Sequence, residues 1–352
     1  MIIENPIYQN DLQRVVDSIQ WESFAGNSFL VIGASGMIGS FMIDVIMKVN
    51  NQFNLGISVI AMGRNKERLE KRFSLYLEKP EFMLYVGDIT EPLSDKLQAD
   101  YLIHGASNTH PKAYATDPIG TIMTNLMGTE VVLKHAVKIN ANRVLFLSTV
   151  EVYGQNYGDK DYFDEDYCGY INCNTLRAGY PEGKRVSESL CQAFLSKYGV
   201  SVVIPRLSRV FGPTMLLGDT KASSQFIINA ARGEDIVLKS DGEQFFSYIY
   251  VGDAVAALFY LLKNGVNGEA YNIAGGLEYD FHLRELAEDL ATIGASELVF
   301  ELPDEVERTG FSKVDKALMS IDKITDLGWS TLFTKDEALN HTVEILRGEL
   351  SN

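Results

Sequence analysis

A glycine-rich turn between a predicted strand and a predicted helix constrains the fold of this chain more than any other feature. Ser28–Ile32 is an apolar run typical of a buried strand, the next seven residues read GASGMIG, and residues 40–49 have helical periodicity. In such a turn the glycines allow the chain to turn sharply after the strand and let the backbone approach a diphosphate closely. The diphosphate then binds the free amides at the amino terminus of the helix. The turn therefore predicts a dinucleotide cofactor. Its expected contacts are Gly33, Ser35, Gly36, Met37, Ile38 and Gly39.

Strands and helices continue to alternate after this turn. The hydrophobic pattern predicts strands at residues 57–62, 82–86, 101–105 and 143–147, and helices at residues 66–77 and 120–137. This alternation is typical of an α/β fold with a doubly wound parallel sheet, which binds its ligand at the carboxyl ends of the strands. Residues 1–27 are expected to form a helical extension, with a helix around residues 12–19. No long Pro, Gly or Ser linker is present, so any second lobe must be interleaved with the first.

The charge of the chain limits its partners. Across 352 residues, 31 Lys and Arg stand against 47 Asp and Glu, which gives a net charge of -16. Such a field repels the phosphates of nucleic acids and anionic lipids. We therefore expect neither nucleic acid nor a membrane as a partner. Anionic ligands are expected to bind through local groups of basic side chains and backbone amides.

The cysteines and the amino terminus indicate the compartment. Cys168, Cys173 and Cys191 are an odd number without nearby ligands of other types, so free thiols and no metal site are expected. The start of the chain, MIIENPIYQ, has no basic region followed by an apolar run, which favours a cytoplasmic protein. The apolar stretch at residues 29–47 is interrupted by three glycines and Asp44. We interpret it as soluble core and not as a membrane span.

The candidate catalytic residues follow the predicted strand at residues 143–147. Thr149 and Glu151 come directly after it, and Tyr180 and Lys184 lie four residues apart, on one face of a predicted helix that runs to about residue 197. An ammonium at Lys184 is expected to lower the pKa of Tyr180, whose phenolate would take a proton from a substrate hydroxyl while a hydride passes to a nicotinamide. Thr149 can hydrogen-bond the same hydroxyl. We predict catalytic roles for all four residues and cofactor contacts for Tyr180 and Lys184.

The end of the second predicted strand bears on the type of cofactor. NAD sites usually have an Asp or Glu there, which binds the ribose hydroxyls, whereas NADP sites have a cation. Here the sequence reads AMGRN, with Arg64 and no acid. The cofactor is therefore expected to be NAD or NADP, with a lean towards NADP.

Several motifs, taken together, carry a family resemblance over residues 28–347. GASGMIG, LSTVEVYG, YPEGK, PRLSRVFGP, YIYVGDAVAALFYLL and GEAYNIAGG resemble, in this order, the extended short-chain dehydrogenase/reductases of the NAD-dependent epimerase/dehydratase family. The resemblance implies a mainly Rossmann cofactor domain at 28–205 and a smaller, interleaved substrate lobe at 206–352, with residues around 245–275 returning to the first domain. It also implies a homodimer formed through helices at 120–137 and 180–197.

Within the family, the chain is most similar to UDP-glucuronate decarboxylases and then to nucleotide-sugar 4,6-dehydratases, both of which keep a glutamate at the position of Glu151. Three positions depart from these relatives. Val150 replaces an acid of some dehydratases, and Thr214 replaces an arginine that binds the substrate carboxylate in the decarboxylases. Phe246 replaces an arginine that meets the substrate diphosphate, while Arg209 replaces an asparagine and is a candidate for anion recognition.

Other site residues follow from the resemblance alone. It implies cofactor contacts at Asp88, Ile89, Ala106 and Ser107, in addition to Arg64. It implies that substrate contacts are made by Arg209, Thr214, Lys221, Gln225 and Phe246.

The expected function is NAD(P)-dependent modification of a nucleoside-diphosphate sugar through transient oxidation at C4. A 4-ketone acidifies C5 and weakens a neighbouring bond to a carboxylate, so a lyase outcome is favoured, either 4,6-dehydration or decarboxylation. The alternatives are a nucleotide-sugar 4-epimerase, a net NADP-dependent reductase or dehydrogenase, and a nucleotide-sugar-binding subunit without catalytic activity.

Overall fold

The core of the protein is a parallel β-sheet, seen in a computed structural model that describes residues 2–107, 116–301 and 315–351. The strands of the described residues are β1 (Ser28–Ile32), β2 (Ser58–Gly63), β3 (Phe82–Val86), β4 (Tyr101–His104), β5 (Arg143–Phe146), β6 (Ser148–Thr149), β7 (Val202–Leu207), β8 (Arg209–Phe211), β9 (Ile236–Leu238), β10 (Phe245–Tyr250), β11 (Ala270–Ile273), β12 (Asp280–His282), β13 (Leu298–Phe300) and β14 (Lys316–Ala317). The main sheet has the order β11-β7-β5-β4-β1-β2-β3, and β6 pairs with β7.

Both faces of this sheet are covered by apolar packing. Along β1, Phe29 and Val31 belong to one buried cluster, whereas Leu30 and Ile32 belong to another on the opposite face. A strand that is buried on both faces must be apolar throughout, which explains its continuous hydrophobic run. The prediction of a Rossmann-type, doubly wound α/β fold is confirmed. Because β2 and β4 flank β1, the glycine turn lies where the direction of strand addition reverses.

Among the described residues, helices connect the strands, and those predicted near residues 40–49, 66–77, 120–137 and 180–197 are present. They are α1 (Pro6–Asp17), α2 (Met37–Phe53), α3 (Lys66–Arg72), α4 (Pro118–Ile139), α5 (Gly179–Tyr198), α6 (Ala222–Arg232), α7 (Val251–Asn264), α8 (Leu283–Gly294), α9 (Asp322–Asp326) and α10 (Lys335–Leu350). The largest shift is at α1, expected around residues 12–19. This helix begins at Pro6 because the Asn5 side chain accepts hydrogen bonds from the amides of Ile7 and Tyr8.

The apolar stretch at residues 29–47 divides into β1 and α2, as predicted. Its one acid, Asp44, is fully buried and accepts hydrogen bonds from Tyr8 (2.6 Å), Tyr76 (3.0 Å) and Arg72. These bonds fasten α1 and the segment after β2 to α2. Over the described ranges, no helix combines the length and the apolar character needed to cross a membrane.

The carboxyl-terminal part of the chain leaves the main sheet and returns to it. After β7, the strand β8 pairs with β10 in a second sheet, which also contains β12 and β14. The helix α7 begins directly after β10 and packs against α2, and β11 then pairs with β7 at the edge of the main sheet. This path brings β8 and β10 beside the carboxyl ends of the main strands.

Candidate functional site

The glycine turn joins β1 to α2 at the carboxyl end of the sheet. Gly33 has a φ of +86°, and a Cβ there would lie 2.9 Å from the carbonyl oxygen of Gly105. A Cβ at Gly39 would lie 2.8 Å from the Gly33 carbonyl oxygen, so neither position tolerates a side chain. Gly36 is the N-cap residue of α2 and has no side chain that could cap the helix. Among the described residues, a Cβ at Gly36 would meet only the Gly33 carbonyl oxygen within 4 Å. The amides of Met37 and the rest of the first turn fit a diphosphate.

The predicted positions after β2 and β3 form a second part of this region. The Asp88 carboxylate accepts hydrogen bonds from the amide (2.9 Å) and the hydroxyl (2.8 Å) of Thr90. The backbone bond is the main reason why the pKa of Asp88 is lowered, and the nearby Arg64 contributes to the shift. Ile89 is buried next to α4. Arg64 and Asp88 therefore come together, as the adenosine end of a dinucleotide site requires.

One cation beside the glycine turn was missed by the sequence analysis. Arg68, in α3, donates a hydrogen bond to the carbonyl oxygen of Ser35 at 3.0 Å. This contact places a second positive charge on the Arg64 side of the turn. The sequence signal is a second arginine four residues after Arg64, in the helix predicted just after the second strand.

The segment after β4 is fixed to α4 by a buried asparagine. The Ser107 hydroxyl donates to the side-chain oxygen of Asn125 at 2.9 Å, and Ala106 packs against the apolar cluster on that face of the sheet. The main-chain oxygen of Asn125 accepts from the Ser187 hydroxyl of α5 at 3.0 Å. Asn125 thus links a predicted cofactor segment with the helix that carries Tyr180. An asparagine in an apolar helix is the signal that could have identified it.

Thr149 and Tyr180 lie together at the carboxyl ends of the strands. Tyr180 is 6% exposed, at the start of α5, and its side chain is hydrogen-bonded to the side chain of Thr149. Burial raises the pKa of Tyr180 and the Glu151 carboxylate raises it further, whereas the bond to Thr149 and the charge of Arg177 lower it. The expectation that this pKa lies below its ordinary value is therefore wrong, because burial outweighs the neighbouring charges.

Lys184 is buried on the same face of α5. Its ammonium donates to the Leu147 carbonyl oxygen at 2.7 Å and lies 4.7 Å from the centre of the Phe146 ring. Burial lowers the pKa of Lys184 to about 8, and the Glu188 carboxylate opposes that shift. Glu188 is itself held by Arg206, with contacts of 3.1 and 2.7 Å. Lys184 therefore remains mostly protonated at neutral pH.

Glu151 has an arginine partner that sequence reasoning did not assign. Nη2 of Arg177 donates to Oε1 of Glu151 at 2.9 Å, and the two side chains are 42% and 29% exposed. Arg177 belongs to the 3₁₀ turn Leu176–Ala178, just before the helix α5 that carries Tyr180. The charges of Glu151 and Arg177 both act on Tyr180, so the pair belongs to the same site.

The structure brings two of the predicted substrate residues together. The guanidinium of Arg209 in β8 lies 3.3 Å from the centre of the Phe246 ring in β10. Burial lowers the pKa of Arg209, while Tyr248 and Glu151 raise it and Arg177 lowers it. Arg209 is thus electrostatically connected to the groups around Tyr180.

The other predicted substrate residues have protein partners. The Thr214 hydroxyl donates to the Met37 carbonyl oxygen at 2.9 Å, on the first turn of α2. Lys221 lies 3.4 Å from the Asp219 carboxylate, and the Gln225 amide donates to the Asp219 carbonyl oxygen. Thr214 therefore contacts the cofactor turn, whereas Lys221 and Gln225 organise the loop before α6.

The described residues contain no metal-binding cluster, since no group of three or more His, Cys, Asp or Glu side chains among them could hold a metal ion. The three cysteines are free thiols, with Cys168 and Cys173 exposed and Cys191 buried.

The chain is similar in sequence to a known protein family. The sequence model of the NAD dependent epimerase/dehydratase family matches residues 29–274. The chain is 31% identical to UDP-glucuronic acid decarboxylase 1 of Xenopus tropicalis over 325 residues, which cover 92% of this chain and 73% of that protein.

Solved structures with lower sequence identity share the fold. The dTDP-glucose 4,6-dehydratase DesIV of Streptomyces venezuelae is 24% identical, with a TM-score of 0.77 over 92% of this chain and 98% of that one. UDP-glucose 4-epimerase of Thermotoga maritima is 23% identical, with a TM-score of 0.75 over 92% and 99% of the two chains. With the family match over most of the sequence and the glycine turn in place, the chain belongs to the NAD dependent epimerase/dehydratase family.

Proposed function

We propose that this protein transiently oxidises C4 of a nucleoside-diphosphate sugar and then promotes a lyase step at the neighbouring carbon. The observation that carries the proposal is the hydrogen-bonded pair of Thr149 and Tyr180, with Lys184 on the same helix and Glu151 beside it. A hydroxyl donor, a phenol, an ammonium and a carboxylate suit proton removal from an alcohol followed by proton movement at carbon. The glycine turn lies at the same edge of the sheet.

The chain's own groups divide the chemistry between them. When bound, the nicotinamide cofactor supplies the hydride acceptor and later returns the hydride. Thr149 and Tyr180 would hold the C4 hydroxyl, and Tyr180, as the phenolate, would take its proton. Lys184 would supply positive charge next to that phenolate. Since burial raises the pKa of Tyr180, the cationic groups of the assembled site must stabilise the phenolate.

Glu151 supports a lyase outcome. With a carboxylate on C5, a ketone at C4 makes a β-keto acid, which loses carbon dioxide and leaves an enolate; a proton at C5 and a hydride at C4 then complete the product. Glu151 would deliver or orient that proton. Of the two lyase outcomes, similarity to a UDP-glucuronic acid decarboxylase over 92% of the chain favours decarboxylation over 4,6-dehydration.

The lean towards NADP is supported by two cations near the adenosine end. Arg64 acts on Asp88, and Arg68 is anchored on Ser35. A 2′-phosphate would be attracted by these side chains, whereas NAD lacks that group. Arg68→Ala should therefore weaken NADP more than NAD in a binding titration. Equal affinities of the parent protein for the two cofactors, unchanged by the substitution, would count against this preference.

The helices α4 and α5 support a homodimer. They pack against each other, and their outer sides expose apolar residues, among them Ile119 (74%), Met123 (42%) and Val186 (44%). We propose that a second copy of this chain covers them, which sedimentation analysis can test. Free cysteines support a reducing location such as the cytoplasm.

Product analysis tests the proposed reaction. The protein would be incubated with NAD or NADP and with UDP-glucuronate, UDP-glucose, dTDP-glucose or GDP-mannose, and the products identified by mass and by NMR. We expect loss of carbon dioxide or water without net consumption of cofactor, abolished by Tyr180→Phe but not by Tyr170→Phe, in an exposed residue. Inversion at C4 without mass change would establish an epimerase, and cofactor consumed in proportion to product would establish a reductase. Binding without turnover would indicate a non-catalytic subunit.

A further inference from the structure

Arg209 is a charged side chain with no polar partner among the described residues. Within the described ranges its guanidinium makes no hydrogen bond or ion pair, and its Nη1 is a buried donor with no acceptor. Buried polar groups in proteins are almost always paired, and a guanidinium without an acceptor loses hydration without compensation. The lowered pKa of Arg209 has the same physical cause. An oxygen-rich ligand would remove this cost.

Phe246 fixes the plane of that guanidinium. At 3.3 Å from the ring centre, the cation stacks on the aromatic face, which is itself only 6% exposed. Stacking occupies one face of the guanidinium and leaves the N–H groups at its edge to bind an acceptor. The register of the two strands, with Arg209 opposite Tyr248, keeps the stack in place. The side chain is thus oriented in advance, as a binding residue requires.

The charged side chains around Arg209 have a net charge of about +1 and can be neutralised by one anion. Arg177 and Arg209 carry two positive charges, and Glu151, paired with Arg177, carries one negative charge. The group is therefore cationic by one unit inside a chain whose net charge is -16. A site of this kind attracts an anionic ligand that the rest of the surface repels.

We propose that Arg209, held flat on Phe246, is the residue that recognises an anionic group of the substrate, either the diphosphate or a carboxylate on the sugar. This inference rests on the proposed function in one respect, namely that the ligand is a nucleotide sugar. It makes Arg209 the specificity-determining cation of this chain, at a place where Thr214 and Phe246 provide none. Both candidate groups present the pair of oxygens that a guanidinium binds through two parallel hydrogen bonds.

Calorimetric binding measurements on the full chain test this role without requiring turnover. The variants are Arg209→Asn, Arg209→Lys and, as a control for the loss of one charge, Arg232→Asn. Arg232 is an exposed residue of the same part of the chain, 3.9 Å from Glu234. The probes are UDP, UDP-glucose and UDP-glucuronate, with dTDP, dTDP-glucose, GDP and GDP-mannose to cover other bases. Melting temperatures establish that each variant is folded.

Arg209→Asn should weaken the recognised probe about ten- to a hundredfold, the range for a hydrogen bond between charged groups, with Arg209→Lys intermediate and Arg232→Asn close to the parent. If the affinities for UDP, UDP-glucose and UDP-glucuronate fall equally, Arg209 binds the diphosphate. If only the affinity for UDP-glucuronate falls, Arg209 binds the carboxylate. Unchanged affinities in a folded Arg209→Asn variant would overturn the inference alone. Weakened binding in a protein that turns over no sugar would overturn only the proposed function, and a parent that binds no probe would overturn both.

Discussion

The contact between Arg177 and Glu151 leads to a prediction about catalysis. Nη2 of Arg177 holds one oxygen of the Glu151 carboxylate at 2.9 Å. If Glu151 moves a proton during the lyase step, fixing its carboxylate should raise the turnover number. Arg177 is then a positioning residue, and its effect must depend on Glu151.

The expected magnitude follows from the exposure of the pair. With the side chains 42% and 29% exposed, solvent screens the interaction, and about 1 kcal/mol is a suitable upper value. That corresponds to about a fivefold lower kcat in Arg177→Ala. Glu151→Gln removes the proton-transfer group itself and should lower kcat about a hundredfold or more. Arg177→Lys should lie between Arg177→Ala and the parent.

A double-mutant cycle separates positioning from an independent role. We expect Arg177→Ala to lower kcat about fivefold in the parent but less than twofold in the Glu151→Gln background, with KM nearly unchanged. Because Arg177 also lowers the pKa of Tyr180, each variant is measured at its own optimal pH. The same fivefold loss in both backgrounds would refute the reasoning, since Arg177 would then act without Glu151. A large rise in KM would assign it to substrate binding.

Three further predictions concern stability, cofactor binding and the substrate site. Asp253 is buried and its pKa is raised to about 7, so its stabilising contribution is present below pH 4 and is lost as the pH rises through 7. In urea unfolding, the stability of Asp253→Asn relative to the parent should therefore rise by roughly 2 to 3 kcal/mol between pH 5 and pH 8, and a pH-independent difference would contradict this. Gly39→Ala should weaken cofactor binding at least about tenfold because its Cβ would meet the backbone of the turn at 2.8 Å, whereas Gly218→Ala, with open space around it, should bind normally. Combining Arg209→Asn with Phe246→Arg moves the cation to the position at which the resemblance implies an arginine. This double variant should recover part of the affinity lost in Arg209→Asn alone, and no recovery would show that the cation must stand at 209.

Much of the fold was predictable because its signals are local. The strand at 28–32, which is buried on both faces, and the edge strand at 82–86 have the predicted bounds, and the other predicted strands of the first half shift by one residue at most. Short apolar runs of this kind stand out from their surroundings. Ends that depend on a polar cap were less predictable. The helix expected at 66–77 stops at Arg72 and continues as the 3₁₀ turn Ser74–Tyr76, whose last residue hydrogen-bonds the buried Asp44.

The candidate site was predictable where its residues follow strands directly. Thr149 follows β5 after a short gap, and the glycine turn follows β1, so the topology alone brings them to one edge. Arg177, Arg68 and Asn125 were missed because their roles depend on contacts between segments far apart in sequence. The pKa of Tyr180 was predicted in the wrong direction for a related reason. The spacing to Lys184 was visible in the sequence, whereas the burial that dominates the shift was not.

The substitution at position 214 connects the two halves of the site. The resemblance implies an arginine at this position, whereas the hydroxyl of Thr214 donates to the Met37 carbonyl oxygen, at 2.9 Å, on the first turn of α2. A long, charged side chain at 214 would not make this short contact, and Thr214 is itself only 8% exposed. The loop is therefore fastened to the glycine turn, and under the proposed function a cation for the substrate would come from another strand. Arg209 lies on β8, directly after β7, and it stacks on Phe246, the second position at which the resemblance implies an arginine. If Arg209 binds the substrate as proposed, the residues at 209, 214 and 246 form one rearrangement, in which the cation stands on β8 instead of at 214 or 246.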